Sequence, residues 1–322
     1  MQEFKNIKSK NYTTRLRCQM NEEIGNNYLY LNQKRIDVRS SKEFFYGKII
    51  YGYLDLLKKG KIISVVRSLV HDAKSLHKKT DTHRIVDFKQ GAMTVGEEIV
   101  VYTSIYGGYD DLQEPLIKDE KCKYVVFSDG DIPEDSSWEK ADESLIPKGY
   151  DTPELRNRYV KMFPHRLFGN RYSIYIDGNL KLVGPASMLL QRNVAENQTG
   201  IGMHLHPREV CIYEEIDSVL YHGKITRNEK KELKHTYKLK GMPRHFGMFE
   251  CNVIVRDHNN ETMRKIMEKW WDYYSKGVRR DQAYFTLVLY ELGYSFDDVM
   301  NFGASVNLNP IFIRENHKSV CK

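Results

Sequence analysis

The run Tyr172-Ser173-Ile174-Tyr175-Ile176 is apolar, aromatic and β-branched, and it ends at Asp177-Gly178-Asn179 before Leu180. Such a run, bounded by an acid, a glycine and an amide, predicts a buried strand whose carboxyl end opens into a polar turn. Asp177 and Asn179 flank the glycine and point the same way. At the carboxyl end of an α/β sheet, two oxygen-bearing side chains so placed can hold a hard divalent cation against a phosphate. The same tripeptide is also an ordinary turn former.

The 322 residues, 41% of them apolar, suffice for one large core and an appendage. Five scattered cysteines without a C-x-x-C pair indicate neither a disulfide framework nor a zinc site, which points to a reducing, cytoplasmic compartment. The sequence shows no signal-peptide-like stretch and no apolar run of the ~18 residues that span a bilayer. A soluble or peripheral protein is expected.

The net charge of +7 is unevenly spread, because residues 1–95 carry 19 Lys and Arg against 9 Asp and Glu. Within that third, residues 44–79 alternate apolar and basic positions at near-helical spacing, which predicts basic amphipathic helices. Such helices either lie on an anionic membrane surface, near a lipid-linked acceptor, or pack on the rest of the chain or another subunit. The basic residues form no nucleic-acid motif, and no nucleic-acid partner is expected.

A change of composition at Gly91–Gly96 divides the chain into a basic, mainly helical extension, 1–96, and a second domain, 97–322. The second opens with a strand ending near Ile105, then Gly107-Gly108. A further strand, Tyr124 to Asp129, precedes a helix capped by Asp151 or Thr152 with Pro153 in its first turn. Together with the strand ending at Asp177, the order describes a mostly parallel sheet flanked by helices, with a ligand crevice on its carboxyl edge. There is no G-x-G-x-x-G or Walker glycine loop, so phosphate recognition falls to a cation and basic side chains. Arg156, Arg158, Lys161 and Arg166, on a helix leading into a turn, supply these, and the face shared by Arg158 and Lys161 either binds a diphosphate or is simply solvated.

The segments Val101 to Asp110, Pro164-His165-Arg166-Leu167-Phe168 and Tyr175 to Asn179 resemble, in order, the glycosyltransferase-like family of plant turgor-regulation and seed-mucilage proteins and bacterial polysaccharide clusters. His206-Pro207-Arg208, Gly247 to Arg256, Trp270-Trp271 and Arg279-Arg280-Asp281-Gln282 continue the resemblance, which covers roughly residues 97–290. The basic first third is outside it. It implies a Rossmann-like GT-A fold, a nucleotide-diphosphate sugar as donor, with a UDP-sugar favoured, and Mn²⁺ or Mg²⁺ at the Asp177 turn. Asn179, an amide in place of a second acid, would ligate more weakly than a carboxylate. A late histidine, His317 or His245, would add a ligand. Thr103, Ser104, Tyr106 and Asp129 would surround the base and ribose, although Thr103 and Ser104 can equally satisfy turn amides and Tyr106 can cover the core edge. Asp281 and Glu250 would be the catalytic carboxylates, receiving the acceptor's proton or holding sugar hydroxyls. Asp281 also suits a helix amino terminus on electrostatic grounds alone. Trp270 and Trp271, at helical spacing from Met263, Ile266 and Met267, are expected in the core.

The resemblance therefore implies a metal-dependent glycosyltransferase that extends a cell-surface polysaccharide or glycolipid. The departure from the membrane-anchored plant relatives leads to the expectation of a bacterial cytoplasmic enzyme, either free or peripheral on the inner face of the plasma membrane. Two alternatives stay open: a catalytically inactive glycan-binding or scaffold subunit, and a sugar nucleotidyltransferase that releases pyrophosphate.

Overall fold

The computed structural model describes residues 54, 57, 58, 91–93, 95–206, 211–315 and 317. The basic extension 1–96, including the amphipathic pattern at 44–79, lies almost wholly outside the described residues. Among those described, no helix is long and apolar enough to cross a membrane.

The chain folds into an α/β structure around a seven-stranded, mostly parallel sheet. The strands are β1 (Ile99–Ile105), β2 (Cys122–Ser128), β3 (Glu139–Lys140), β4 (Tyr172–Ile176), β6 (Ile201–Leu205), β7 (Phe249–Asp257) and β8 (Met300–Ala304). A separate ribbon pairs β5 (Leu180–Leu182) with β9 (Phe312–Arg314). The sheet order is β3-β2-β1-β4-β7-β6-β8. Every neighbouring pair is parallel except those made by β7, which runs against both β4 and β6.

All residues of β1, β4 and β7 are buried; β1 and β4 are mainly apolar, as strands covered on both faces require, whereas β7 also buries Glu250, Asn252, Arg256 and Asp257. Alternation sorts the side chains. Val100, Tyr102 and Tyr175 face one core layer with Trp270 and Phe285, whereas Ile99, Val101, Ile174 and Val255 face another with Leu180, Phe302 and Phe312. The first layer is roofed by α1 (Pro153–Met162), α4 (Ile212–Tyr221), α5 (Arg227–Leu239), α6 (Glu261–Lys276) and α7 (Gln282–Glu291). The short helices α2 (Pro164–Leu167) and α3 (Arg192–Glu196) complete the described set. Trp270 is fully buried in this layer and Trp271 partly so.

Thr152 begins α1 by accepting a hydrogen bond at Oγ1 from Leu155 N, with Pro153 in the first turn. The helix stops at Phe163 because Pro164 follows, and the chain turns into α2. After β1 the chain moves to β2 and β3 on one side; β4 then adds on the other side of β1. This reversal of strand order opens a crevice between the carboxyl ends of β1 and β4, the place where open α/β sheets bind ligands.

Candidate functional site

Asp177 follows β4 at that crevice, its backbone N–H donating to the Asn252 carbonyl of β7 at 2.8 Å. Its side chain is 35% exposed. Oδ1 accepts a hydrogen bond from the Tyr175 hydroxyl at 3.0 Å and lies 3.4 Å from Lys161 Nζ. The lysine, only 2% exposed, also donates to Asp281 Oδ2 at 2.8 Å, and Arg158 Nε approaches that oxygen to 3.1 Å. Two carboxylates from distant parts of the chain are thus joined by one buried ammonium, with a guanidinium alongside. The shared face of Arg158 and Lys161 on α1 makes this possible.

Burial alone would raise the Asp281 carboxyl's pKa. The Arg158 and Lys161 cations, with Arg280 beside them, outweigh that and hold it well below the usual carboxylate range. Asp281 occupies the N-cap position of α7 without capping it; its side chain serves α1 instead. Lys161 is fixed from behind as well. Its backbone carbonyl accepts from Arg256 Nη2 at 2.7 Å and from the Tyr102 hydroxyl at 3.2 Å, and Arg256 Nη1 donates to that same hydroxyl. Arg256 is completely buried.

The other candidates fall around this cluster. Ser104 is buried at the end of β1, its carbonyl accepting from Asn157 Nδ2 at 2.7 Å, while Thr103 is buried beside it with Oγ1 unpartnered. Asp129, after β2, receives the Gly107 N–H at 2.9 Å. Tyr106 is buried and donates to Glu143, which Arg156 faces at 3.6 Å. Tyr106 therefore lies at the core edge, its hydroxyl committed. Arg166 is not brought to the Lys161 face: it pairs with Glu268 of α6 at 2.7 Å and lies over the Phe163 ring, because α1 has ended before it. Glu250, in β7, is buried, accepting from Val306 N at 2.7 Å with Arg314 at 3.8 Å. Burial raises its pKa, against the opposing pull of Arg314 and its hydrogen bonds.

The sequence reading passed over Asp110 as a site residue. It lies in the loop after β1, in the segment Gly107-Gly108-Tyr109-Asp110, and its Oδ1 is 2.7 Å from His317 Nδ1. Gly178 sits beneath it, since a Cβ there would stand 3.3 Å from Asp110 Oδ2 and 2.8 Å from Ile105 Cγ1. Burial raises the Asp110 carboxyl's pKa, His317 lowers it, and the neighbouring Asp177 charge adds to the rise. Asn179 is buried, with Nδ2 donating to the Glu315 carbonyl at 3.0 Å.

Asn179 Nδ2 is committed to Glu315 and His317 Nδ1 to Asp110, so ligation of a hard cation beside a phosphate would fall to the Asp177 carboxylate, His317 Nε2 or the Asn179 amide oxygen. Among the described residues no three His, Cys, Asp or Glu side chains form a closed metal cluster. A set this open fits Mg²⁺ or Mn²⁺ drawing its remaining ligands from a bound phosphate and water.

The profile of the TOD1/MUCI70 glycosyltransferase-like domain matches residues 146–317. No curated protein matches the chain. Among solved structures, the WbbM bifunctional glycosyltransferase in its apo form aligns with TM-score 0.40 and 11% identity, over 66% of this chain and 40% of its own. The glycosyltransferase GlyE of Streptococcus pneumoniae TIGR4 aligns with TM-score 0.33 and 14% identity, over 64% of this chain and 45% of its own. The chain spans less than half the length of each of these two. Mouse xyloside xylosyltransferase 1 aligns with TM-score 0.36 and 12% identity, over 64% of this chain and 84% of its own. On a profile match extending over more than half its length, the chain belongs to the TOD1/MUCI70 glycosyltransferase-like family.

Proposed function

We propose that this protein transfers a sugar from a nucleotide-diphosphate donor to a glycan or glycolipid acceptor in the crevice between β1 and β4. The observation that carries this reading is the joining of Asp177 to Asp281 through Lys161, at the point where the strand order reverses. Negative charge develops on the departing diphosphate in the transition state, and Lys161 and Arg158, held in place by Asp177 and Asp281, would offer it preorganised donors. Asp177 and His317 would hold Mn²⁺ or Mg²⁺, which when bound supplies further neutralisation of the leaving group.

Asp281 serves in this reading as the counter-ion that orients Lys161 and Arg158. A carboxylate held so far below the ordinary range has little affinity for an acceptor's proton. Glu250, with its raised pKa, is better matched to proton exchange of the two. Ser104, at the carboxyl end of β1, and Asp129, just after β2, would stand on the side that takes the donor's base and ribose.

The test is calorimetric titration of UDP, GDP and their sugar conjugates with and without Mn²⁺, on the wild type and on Asp177→Ala. Manganese-dependent binding that the variant loses is expected, with release of a nucleoside diphosphate on turnover. Absence of nucleotide binding by the folded protein would remove the transferase reading, and release of pyrophosphate would replace it by nucleotidyl transfer.

A further inference from the structure

Asn179 stands where a second carboxylate would complete an acid-x-acid pair, and its surroundings account for the amide. Its Nδ2 donates to the Glu315 carbonyl at 3.0 Å, while the Glu315 N–H donates to the Asn179 carbonyl at 2.9 Å. These reciprocal bonds fasten the segment after β9 to the turn after β4, continuing the β5–β9 ribbon by one step. An ionised carboxylate at position 179 could not make the first of them, having no hydrogen to donate and facing another oxygen.

Two residues on, the segment is fastened again. His317 Nδ1 meets Asp110 Oδ1 at 2.7 Å, and the Tyr109 ring lies 4.9 Å from the imidazole. Asp110 itself rests over Gly178, between Asp177 and Asn179, in space that a side chain at 178 would fill. The attachments therefore straddle the Asp177 turn. A neutral ring that donates from Nδ1 to this carboxylate would carry its lone pair on Nε2, the arrangement by which an outer carboxylate sets the orientation and basicity of a metal-binding histidine.

We infer that Asn179 and Asp110 are positioning residues that latch Glu315–His317 beside Asp177, so that His317 Nε2 joins Asp177 at the cation and the Asn179 side chain does not. This rests on the donor-site reading above. It assigns the amide a task that an acid would fail, and it makes the cation site depend on a segment reaching it from the far end of the domain.

The two roles available to Asn179 predict opposite signs. As a direct ligand, Asn179→Asp adds a negative charge and tightens cation binding. As a latch, the same change repels the Glu315 carbonyl and weakens binding. Free Mn²⁺ would be followed by electron paramagnetic resonance during titration into the full chain with saturating UDP, for the wild type, N179D, D110A, H317A and N179D/H317A, with thermal melts alongside. The latch predicts about tenfold weaker Mn²⁺ binding in N179D and in D110A, the scale typical of lost outer-shell partners. It also predicts that N179D/H317A binds no more weakly than H317A alone. Tighter binding by N179D overturns it, as do losses in N179D and H317A that multiply in full. If N179D does not fold, wild-type affinity in D110A overturns the inference by itself. A wild type that holds no Mn²⁺ with UDP or GDP overturns the donor-site reading instead, and the latch with it.

Discussion

Asp281→Asn preserves the shape of the buried cluster and removes one charge, so its effect isolates the electrostatics. In the wild type Arg158 and Lys161 face Asp177 and Asp281, and the four charges balance. In the variant the sum is +1, around a lysine with 2% of its side chain exposed. Removing one member of a buried pair costs about 3–5 kcal/mol, because the charge left behind is no longer compensated. That is a large part of the ~5–15 kcal/mol that holds an ordinary domain together. Urea unfolding read by tryptophan fluorescence suits the measurement, since Trp270 Nε1 donates to the Asp281 carbonyl at 2.8 Å and reports locally.

The pH dependence follows from the direction of the shift. The folded carboxyl is held below its unfolded value of about 3.9, so its contribution is complete above that value and is lost as pH falls below it. The gap between wild type and variant should be constant from about pH 8 to pH 5 and narrow only in stronger acid. K161M/D281N, which rebalances the cluster, should recover at least half of the loss. A gap under about 1 kcal/mol, the range of exposed ion pairs, or one that closes between pH 8 and 6, would show that the cluster is not the buried counter-ion system described.

Two further outcomes follow from other parts of the fold. His204 is completely buried, its Nε2 accepting from Asn309 Nδ2 at 2.9 Å, and burial, with Arg314 adding to it, lowers its pKa to about 3. Its share of stability is intact above the unfolded value of about 6.5 and is lost as pH falls from there, so His204→Asn should flatten the acid limb of a stability profile by ~1.4 kcal/mol per pH unit; an unchanged slope would contradict a neutral buried imidazole. Gly178→Ala places a methyl 2.8 Å from Ile105 Cγ1 and 3.3 Å from Asp110 Oδ2, so it should cost about 1–3 kcal/mol in overpacking and weaken Mn²⁺–UDP binding in calorimetry. Wild-type affinity in a folded G178A protein would separate Asp110 from the cation site.

Much of the sheet was legible in the sequence because its strands are local statements. The runs ending at Ile105, Ser128 and Asp177 have no polar face, and Thr152-Pro153 marks the start of α1 as clearly as any capping signal can. The Asp177 turn was found for the same reason. Helical spacing also placed Arg158 and Lys161 on one face, but periodicity does not name what a face meets. Asp281 is 120 residues from Lys161, and its position before α7 suggested a helix-dipole acid or a catalytic one, not the lysine's counter-ion. Arg166 was grouped with Lys161 by proximity in the chain, and Pro164 separates them in space. Asp110 and His317 stand 207 residues apart, with no local pattern to connect them. Buried polar partners such as Arg256 and Tyr102 were hidden for a related reason: a guanidinium inside a strand carries no sequence sign of the carbonyl it will find.

The reversed direction of β7 has a consequence for how the crevice can change. Parallel neighbours deliver their carboxyl ends to the rim, whereas β7 delivers its beginning, so the chain entering it at 240–248 belongs to the same rim as the loops leaving β1, β2 and β4. Substitutions at its exposed positions 243–245 can reshape that part of the rim, whereas Met242 and Met248 belong to the first core layer. The exposed part of this rim is thereby separable from the layers that keep the domain folded.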